Sequence, residues 1–331
     1  MEDNNAEKSN AFIGQAKKII KNGGTSFSLV IVYILICIVF SILSPFFLTA
    51  NNFLNIGLYS SIIGVMAAGS TIAMLVGAID ISQYSVATTS SIFGVLLLNA
   101  GYPLAVVLLM IILIGAICGI VNGILVAYFE IPAIIVTIGT MQVFRSIGYI
   151  ITGGNTMMFS SKGFDVFGKG FLFGAIPVPI VIAVIVLVFT YYLLNNTSFG
   201  RMVYAVGGNE KASYLSGINT KRVKLGAMII CALTSSIGGV IISSQIGAVI
   251  PSNGVGAEMG ILAAVILGGM SLAGGKGNVS GTVLGILILS TIQNGLTLLS
   301  TGSFYIMLIN GIVLILAVLL DVLRRGVMKK Q

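Results

Sequence analysis

Few residues in this chain are equipped for chemistry, and their types narrow what chemistry is open. No histidine occurs among the 331 residues, which removes the commonest general base and the commonest metal ligand. Cys37, Cys118 and Cys231 lie in apolar runs and fit no CxxC spacing, so they read as small packing residues. Five ionisable residues, Asp80, Glu130, Arg145, Glu258 and Asp321, fall in or at the ends of apolar runs. Charges in such surroundings are functional candidates by default. Asp321 beside Arg324 reads as a helix-end pair, and Glu130 before Ile131-Pro132 as a turn. Arg145, within a span, faces a polar interior or snorkels to the interface. Asp80 and Glu258 each adjoin an interrupted or glycine-rich span. Uncharged polar residues such as Ser82, Asn122, Thr137 and Asn294 could hydrogen-bond a neutral, hydroxyl-rich solute. Asp80, Ser82, Asn122, Thr137, Glu258 and Asn294 are therefore the candidates for a solute path, against the competing reading of helix caps and interhelical contacts.

Phosphate chemistry fails on spacing. The stretch GGMSLAGGKG, Gly268–Gly277, looks superficially like a phosphate-binding loop. The Walker pattern needs glycine where Met270 stands and serine or threonine where Gly277 stands. No ATP site, catalytic residue, metal or cofactor is expected, and the chain does not read as an enzyme. Nor is there the buried acid–base chain of many ion-coupled carriers. Energy for uphill transport would come from another polypeptide or an ion gradient.

The elements that position these residues are written in the composition. The chain is 57% hydrophobic and 8% charged, against about 45–50% and 25% in soluble domains, so its main solvent is a bilayer. A span needs roughly 20 apolar residues. Apolar runs at Phe27–Leu48, Ile56–Ile79, Val86–Leu98, Pro103–Tyr128, Ala133–Ile151, Ile176–Leu194, Leu225–Ile246, Gly256–Leu272, Val279–Leu299 and Phe304–Leu323 predict an all-α polytopic membrane protein with about ten transmembrane helices. Val86–Leu98 is short and expected to be broken or tilted. The net charge of +8 reflects topology, not nucleic-acid binding, because basic residues cluster at span ends. Lys8, Lys17, Lys18 and Lys21 place the N-terminus in the cytoplasm. Arg324, Arg325, Lys329 and Lys330 place the C-terminus there, and five basic residues in Gly200–Lys224 place that loop there too. The expected organisation is a cytoplasmic segment 1–26, a transmembrane domain 27–323 with a cytoplasmic loop at about 196–224, and a cytoplasmic tail 324–331. No signal-peptide cleavage pattern precedes the first run.

Glycines spaced by four, Gly115/Gly119/Gly123, Gly256/Gly260/Ala264/Gly268 and Gly277/Gly281/Gly285, predict helix faces that pack closely in lipid. Five spans on each side of the midpoint would make any internal repeat inverted.

The longest charged interruption is FGRMVYAVGGNEKASYLSGINTKRVK, Phe199–Lys224. It is either a plain connecting loop or a docking element for a cytoplasmic partner. Asn209 can cap a short helix with Glu210 at its positive end. Ala212–Leu215 could form that helix, with Gly217 as its C-cap.

Together with LTANNFLNI (Leu48–Ile56), GAIDIS (Gly77–Ser82), NGILVAYFEIPAIIVTIGTMQVFRSI (Asn122–Ile147), ILAAVILGGMSLAGGKGNVSGTVLG (Ile261–Gly285) and NGLTLL (Asn294–Leu299), this stretch resembles the permease subunits of ATP-binding-cassette importers for ribose and related sugars. The resemblance covers nearly the whole chain. It implies that Gly200–Lys224 holds the coupling helix, with Gly200, Arg201, Ala205, Gly207, Asn209, Glu210, Ala212, Ser216 and Gly217 as its ATPase-coupling residues. It implies a separate ATPase subunit, an extracytoplasmic sugar-binding protein, a second permease copy or paralogue, and residence in a bacterial cytoplasmic (inner) membrane. Two departures stand out: Tyr84 replaces the glycine of a DLSVG-like pattern, and Met270 the threonine of GGTSL. A ribose-type sugar leads. Autoinducer-2, another pentose or hexose, or a nucleoside are alternatives within the family, and a stand-alone carrier or channel is the alternative outside it.

Overall fold

The structure, a computed structural model, describes residues 24–328. Expectations for residues 1–23, including Lys8, Lys17, Lys18 and Lys21, and for Lys329 and Lys330 lie outside the described residues. All ten apolar runs fold as helices: α1 (Gly24–Leu43), α2 (Ala50–Leu75), α3 (Gln83–Asn99), α4 (Leu104–Ala127), α5 (Ala133–Thr152), α7 (Val178–Asn196), α10 (Thr220–Ile246), α11 (Glu258–Leu267), α12 (Val279–Leu298) and α13 (Ser303–Met328). Among the described residues, six of these (α2, α4, α5, α7, α10 and α12) are long and apolar enough to cross a bilayer. The short third run starts as α3 only after a non-helical break at 76–82, and α11 has ten residues.

Two helices organise the packing. α10 runs along α2, α3 and α4, and α2 is further covered by α7, α11 and α12. The glycine face of α4 explains the closest of these approaches. A Cβ at Gly119 would lie 2.7 Å from the Ile229 backbone, and one at Gly123 3.2 Å from that of Leu225. Without side chains there, the two backbones gain dispersion contacts that lipid cannot supply. The other two stripes are realised in part. Gly268 meets Gly281, and Gly285 meets Ala264, so α11 and α12 cross on small residues. Gly256 and Gly277 fall in turns, and Gly260 faces open space.

The connections fall into two groups at opposite ends of the bundle. At one end, 76–82, 128–132, 196–220 and 268–278 are joined by contacts such as Gly275 N to Leu75 O (2.8 Å) and Lys221 to Glu130 (3.0 Å). At the other, β1 (Met157–Met158) pairs antiparallel with β4 (Ala248–Val249), and Asn99 donates to Met158 O (3.0 Å). The polar stretch Thr152–Ala175 contains regular elements. It holds a short helix, α6 (Lys162–Lys169), capped by Ser161 and packed on α10. Beyond it, β2 (Phe171–Leu172) pairs with β3 (Ile176–Pro177) in a tight hairpin. The tail expected from residue 324 continues as helix to Met328.

Candidate functional site

The charged stretch after α7 folds as two helices, α8 (Ser198–Gly208) and α9 (Glu210–Leu215). Each has a local reason to start. Thr197 Oγ1 accepts from Gly200 N (3.2 Å), and Asn209 Oδ1 accepts from Ala212 N (2.9 Å), which satisfies amides with no partner inside the helix. Glu210 stands in the first turn of α9, where a carboxylate meets the positive end of the helix dipole. The helix ends at Gly217, whose φ is +85°. Gly217 N donates to Tyr214 O (3.0 Å) and Ile218 N to Ser213 O (3.1 Å), a closed C-terminal cap that requires the left-handed conformation glycine adopts freely. α9 starts two residues earlier than Ala212, and α8 is an addition that the sequence reading treats as loop.

Of the nine expected coupling residues, Arg201, Asn209, Glu210, Ala212, Ser216 and Gly217 are exposed, Ala205 and Gly207 are half-buried, and Gly200 is buried. The tip of α9 presents Tyr214 and Leu215, 69% and 76% exposed, an apolar pair on an otherwise polar element. Two ion pairs brace the segment: Lys224 to Glu210 (2.6 Å) and Lys221 to Glu130 (3.0 Å). The Lys221 ammonium holds the Glu130 carboxyl below its usual range. A cavity of about 750 Å³ opens between this segment and the 128–133 turn, lined by Glu130, Pro132, Lys211, Tyr214, Lys221 and Gly77 among others.

Four of the six path candidates converge where α2 breaks before α3. Asp80 Oδ1 accepts from Ser82 N (2.8 Å) and Ser82 Oγ (2.6 Å), and Asn122 Nδ2 donates to Ser82 Oγ (2.9 Å). Thr137 Oγ1 donates to Ala133 O (2.8 Å) and lies 3.3 Å from Ile79 O. The other carboxylate oxygen of Asp80 has no donor at bonding geometry, with the Cys231 thiol and the Asn122 amide as polar neighbours. All four residues are buried, and Asp80, Ser82 and Asn122 are joined by hydrogen bonds. Gln83 completes the cluster, donating to Ser70 Oγ (2.7 Å) and Cys231 Sγ (2.9 Å). The sequence reading passes over Gln83, although its place next to Ser82 is the available signal.

The remaining two candidates lie elsewhere. Glu258 opens α11 and forms an ion pair with Arg145 of α5; the glutamate is buried and the arginine nearly so. The sequence reading names both residues without joining them. Asn294 is half-buried in α12 and its Oδ1 has no partner, while its neighbour Gln293 donates to Tyr59 Oη. Among the described residues no group of three or more metal-ligating side chains occurs. Within the Gly268–Gly277 stretch, Gly275 N donates to Leu75 O and Ser271 N to Lys276 O.

The helical bundle thus carries a capped, charged pair of short helices at one end and a buried polar cluster beside it. Residues 52–318 match the family described as "Branched-chain amino acid transport system / permease component", and the chain belongs to it. It is 40% identical to the ribose import permease protein RbsC of Bacillus subtilis (strain 168) over 87% of this chain and 90% of that one. It is 39% identical to the protein of the same name from Escherichia coli (strain K12) over 89% and 92%. An L-arabinose ABC transporter permease protein, AraH of Azospirillum brasilense, is 34% identical over 90% and 88%. No solved structure matches the chain.

Proposed function

We propose that this chain is the membrane permease subunit of an ATP-binding-cassette importer that carries a ribose-type monosaccharide across a bacterial inner membrane. In this reading the end of the bundle that gathers 76–82, 128–132, 196–220 and 268–278 is cytoplasmic, as are both termini, and ten helices cross, with any internal repeat inverted. A separate ATPase seats on α8 and α9, through Arg201, Asn209, Glu210, Ala212, Ser216 and Gly217, with Gly200, Ala205 and Gly207 setting the backbone behind them. A sugar-binding protein delivers solute at the opposite face, and a second permease, a copy or a paralogue, completes the path. Asp80, Ser82, Asn122 and Thr137 form a polar joint beside that path, and Glu258 and Asn294 belong to its outer half and to α12 respectively.

The observation that carries this reading is α9. A six-residue helix closed at both ends by its own sequence, braced by an ion pair and tipped with exposed Tyr214 and Leu215, is built to transmit force, not merely to connect spans. The sugar assignment is supported by relatives that match almost end to end.

The test is reconstitution of this chain in proteoliposomes with its cognate ATPase and binding protein. ATP-dependent accumulation of radiolabelled ribose is expected, and none without ATPase. Uptake by this chain alone under a sodium or proton gradient would overturn the reading in favour of a carrier.

A further inference from the structure

The end of α2 is capped from a distance. Leu75 is the last residue of that helix, and its carbonyl has no acceptor role within the helix. Gly275 N, 200 residues further along the chain, donates to it at 2.8 Å. The same turn meets α8. Tyr204 Oη donates to Gly277 O (3.0 Å), and a Cβ on Gly275 would lie 2.6 Å from the Gly208 backbone. Gly207 presses directly on the Leu75 carbonyl, and a Cβ on Gly274 would lie 2.9 Å from Gly77 N. Three segments therefore touch backbone to backbone at one point: the end of α8, the 274–277 turn, and the broken end of α2. Close-packed backbones do not deform continuously, so a displacement of one is passed to the others. Five residues beyond Leu75 stands Asp80, locked to Ser82 and through it to Asn122.

We propose that Tyr204 and the Gly274–Gly277 turn are positioning residues for transport. They carry motion of the α8–α9 segment into the α2–α3 break and so to the polar joint at Asp80. This rests on the coupling role proposed above for α8 and α9. It gives the glycine-rich turn a mechanical part: it clamps α8 to the end of α2. The Tyr204 hydroxyl ties α8 to the turn through the Gly277 carbonyl, beside the direct backbone contact of Gly207 with Leu75.

The test uses the complete transporter in proteoliposomes and reads ribose taken up per ATP hydrolysed. Tyr204→Phe removes one hydroxyl and keeps the ring packing. The expected result is normal co-purification with the ATPase, retained hydrolysis, and uptake per ATP reduced about 2- to 12-fold, the change in an equilibrium that loss of one hydrogen bond makes. Gly275→Ala, which forces the α8 contact apart, is expected to lower the ratio further. Unchanged uptake per ATP in Tyr204→Phe overturns the proposal. A parallel fall of uptake and hydrolysis at constant ratio also overturns it, since that is what a merely structural contact gives. The coupling role itself fails separately, and visibly, if the unaltered permease neither retains the ATPase nor takes up ribose with ATP.

Discussion

Glu258 and Asp80 are both buried carboxylates, one toward each end of the bundle, and they are satisfied by different means. Glu258 meets the guanidinium of Arg145, so a full charge on α11 is tied to a full charge on α5 across 113 residues of chain. Asp80 meets neutral donors, the amide and hydroxyl of Ser82 two residues away, with one oxygen left without a donor. The first arrangement is a long-range link between helices that is costly to open. The second is a local knot in a chain break, coupled to its surroundings through the dipoles of Ser82 and Asn122. The contrast is between a charged tie that joins separate helices and a knot of neutral donors within one chain break.

Breaking the tie should have the largest effect. Arg145→Ala leaves Glu258 buried with no counter-charge, a change that costs about 3–5 kcal/mol when a buried pair loses one member. The detergent-solubilised protein should melt far below the unaltered one. Replacing both members, Arg145→Met with Glu258→Met, should recover most of that loss, because no orphaned charge remains. If the single and double replacements melt alike, the pair is not the tie described.

Asp80→Asn sharpens the other side of the comparison. The amide keeps an oxygen for Ser82 and removes only the charge assistance, so the expected cost is about 1 kcal/mol. The loss should appear mainly in transport rather than in melting. A cost as large as that of Arg145→Ala would mean that Asp80 has a charged partner which the neutral network does not provide.

How much of this was legible in the sequence follows from the range of each interaction. α9 could be read because its causes are local: Asn209 caps it, Glu210 suits its first turn and Gly217 closes it, all within nine residues. The α4 face could be read because a spacing of four places Gly115, Gly119 and Gly123 on one side whatever lies opposite. The existence of ten apolar helices was likewise written in hydropathy. The ion pair and the clamp were not. Nothing near Arg145 names Glu258, and nothing near Gly275 names Leu75, since neither contact has a periodicity or a local motif. Residue type finds polar groups inside spans but carries no information on which other side chains they meet. Asp80, Ser82, Asn122 and Thr137 gather at one place, and Glu258 gathers with Arg145 at another, for reasons that exist only in three dimensions.

The smallest effect belongs to a third carboxylate, which calibrates the other two. Glu130 forms an ion pair with Lys221 at 3.0 Å, and both side chains are exposed. Water and salt screen such a pair, and exposed pairs contribute little. Lys221→Gln should therefore barely shift the melting temperature at neutral pH and low salt, and not at all in high salt, whereas the Arg145→Ala deficit should persist in salt. The pH dependence has a definite sign. Because Lys221 depresses the Glu130 pKa, the small advantage of the unaltered protein is present above the ordinary carboxylate pKa and disappears as pH falls through the lowered value. A Lys221→Gln deficit that survived both high salt and acid would place this pair with Glu258 and Arg145, and the link between α10 and the 128–132 turn would then be structural rather than adjustable.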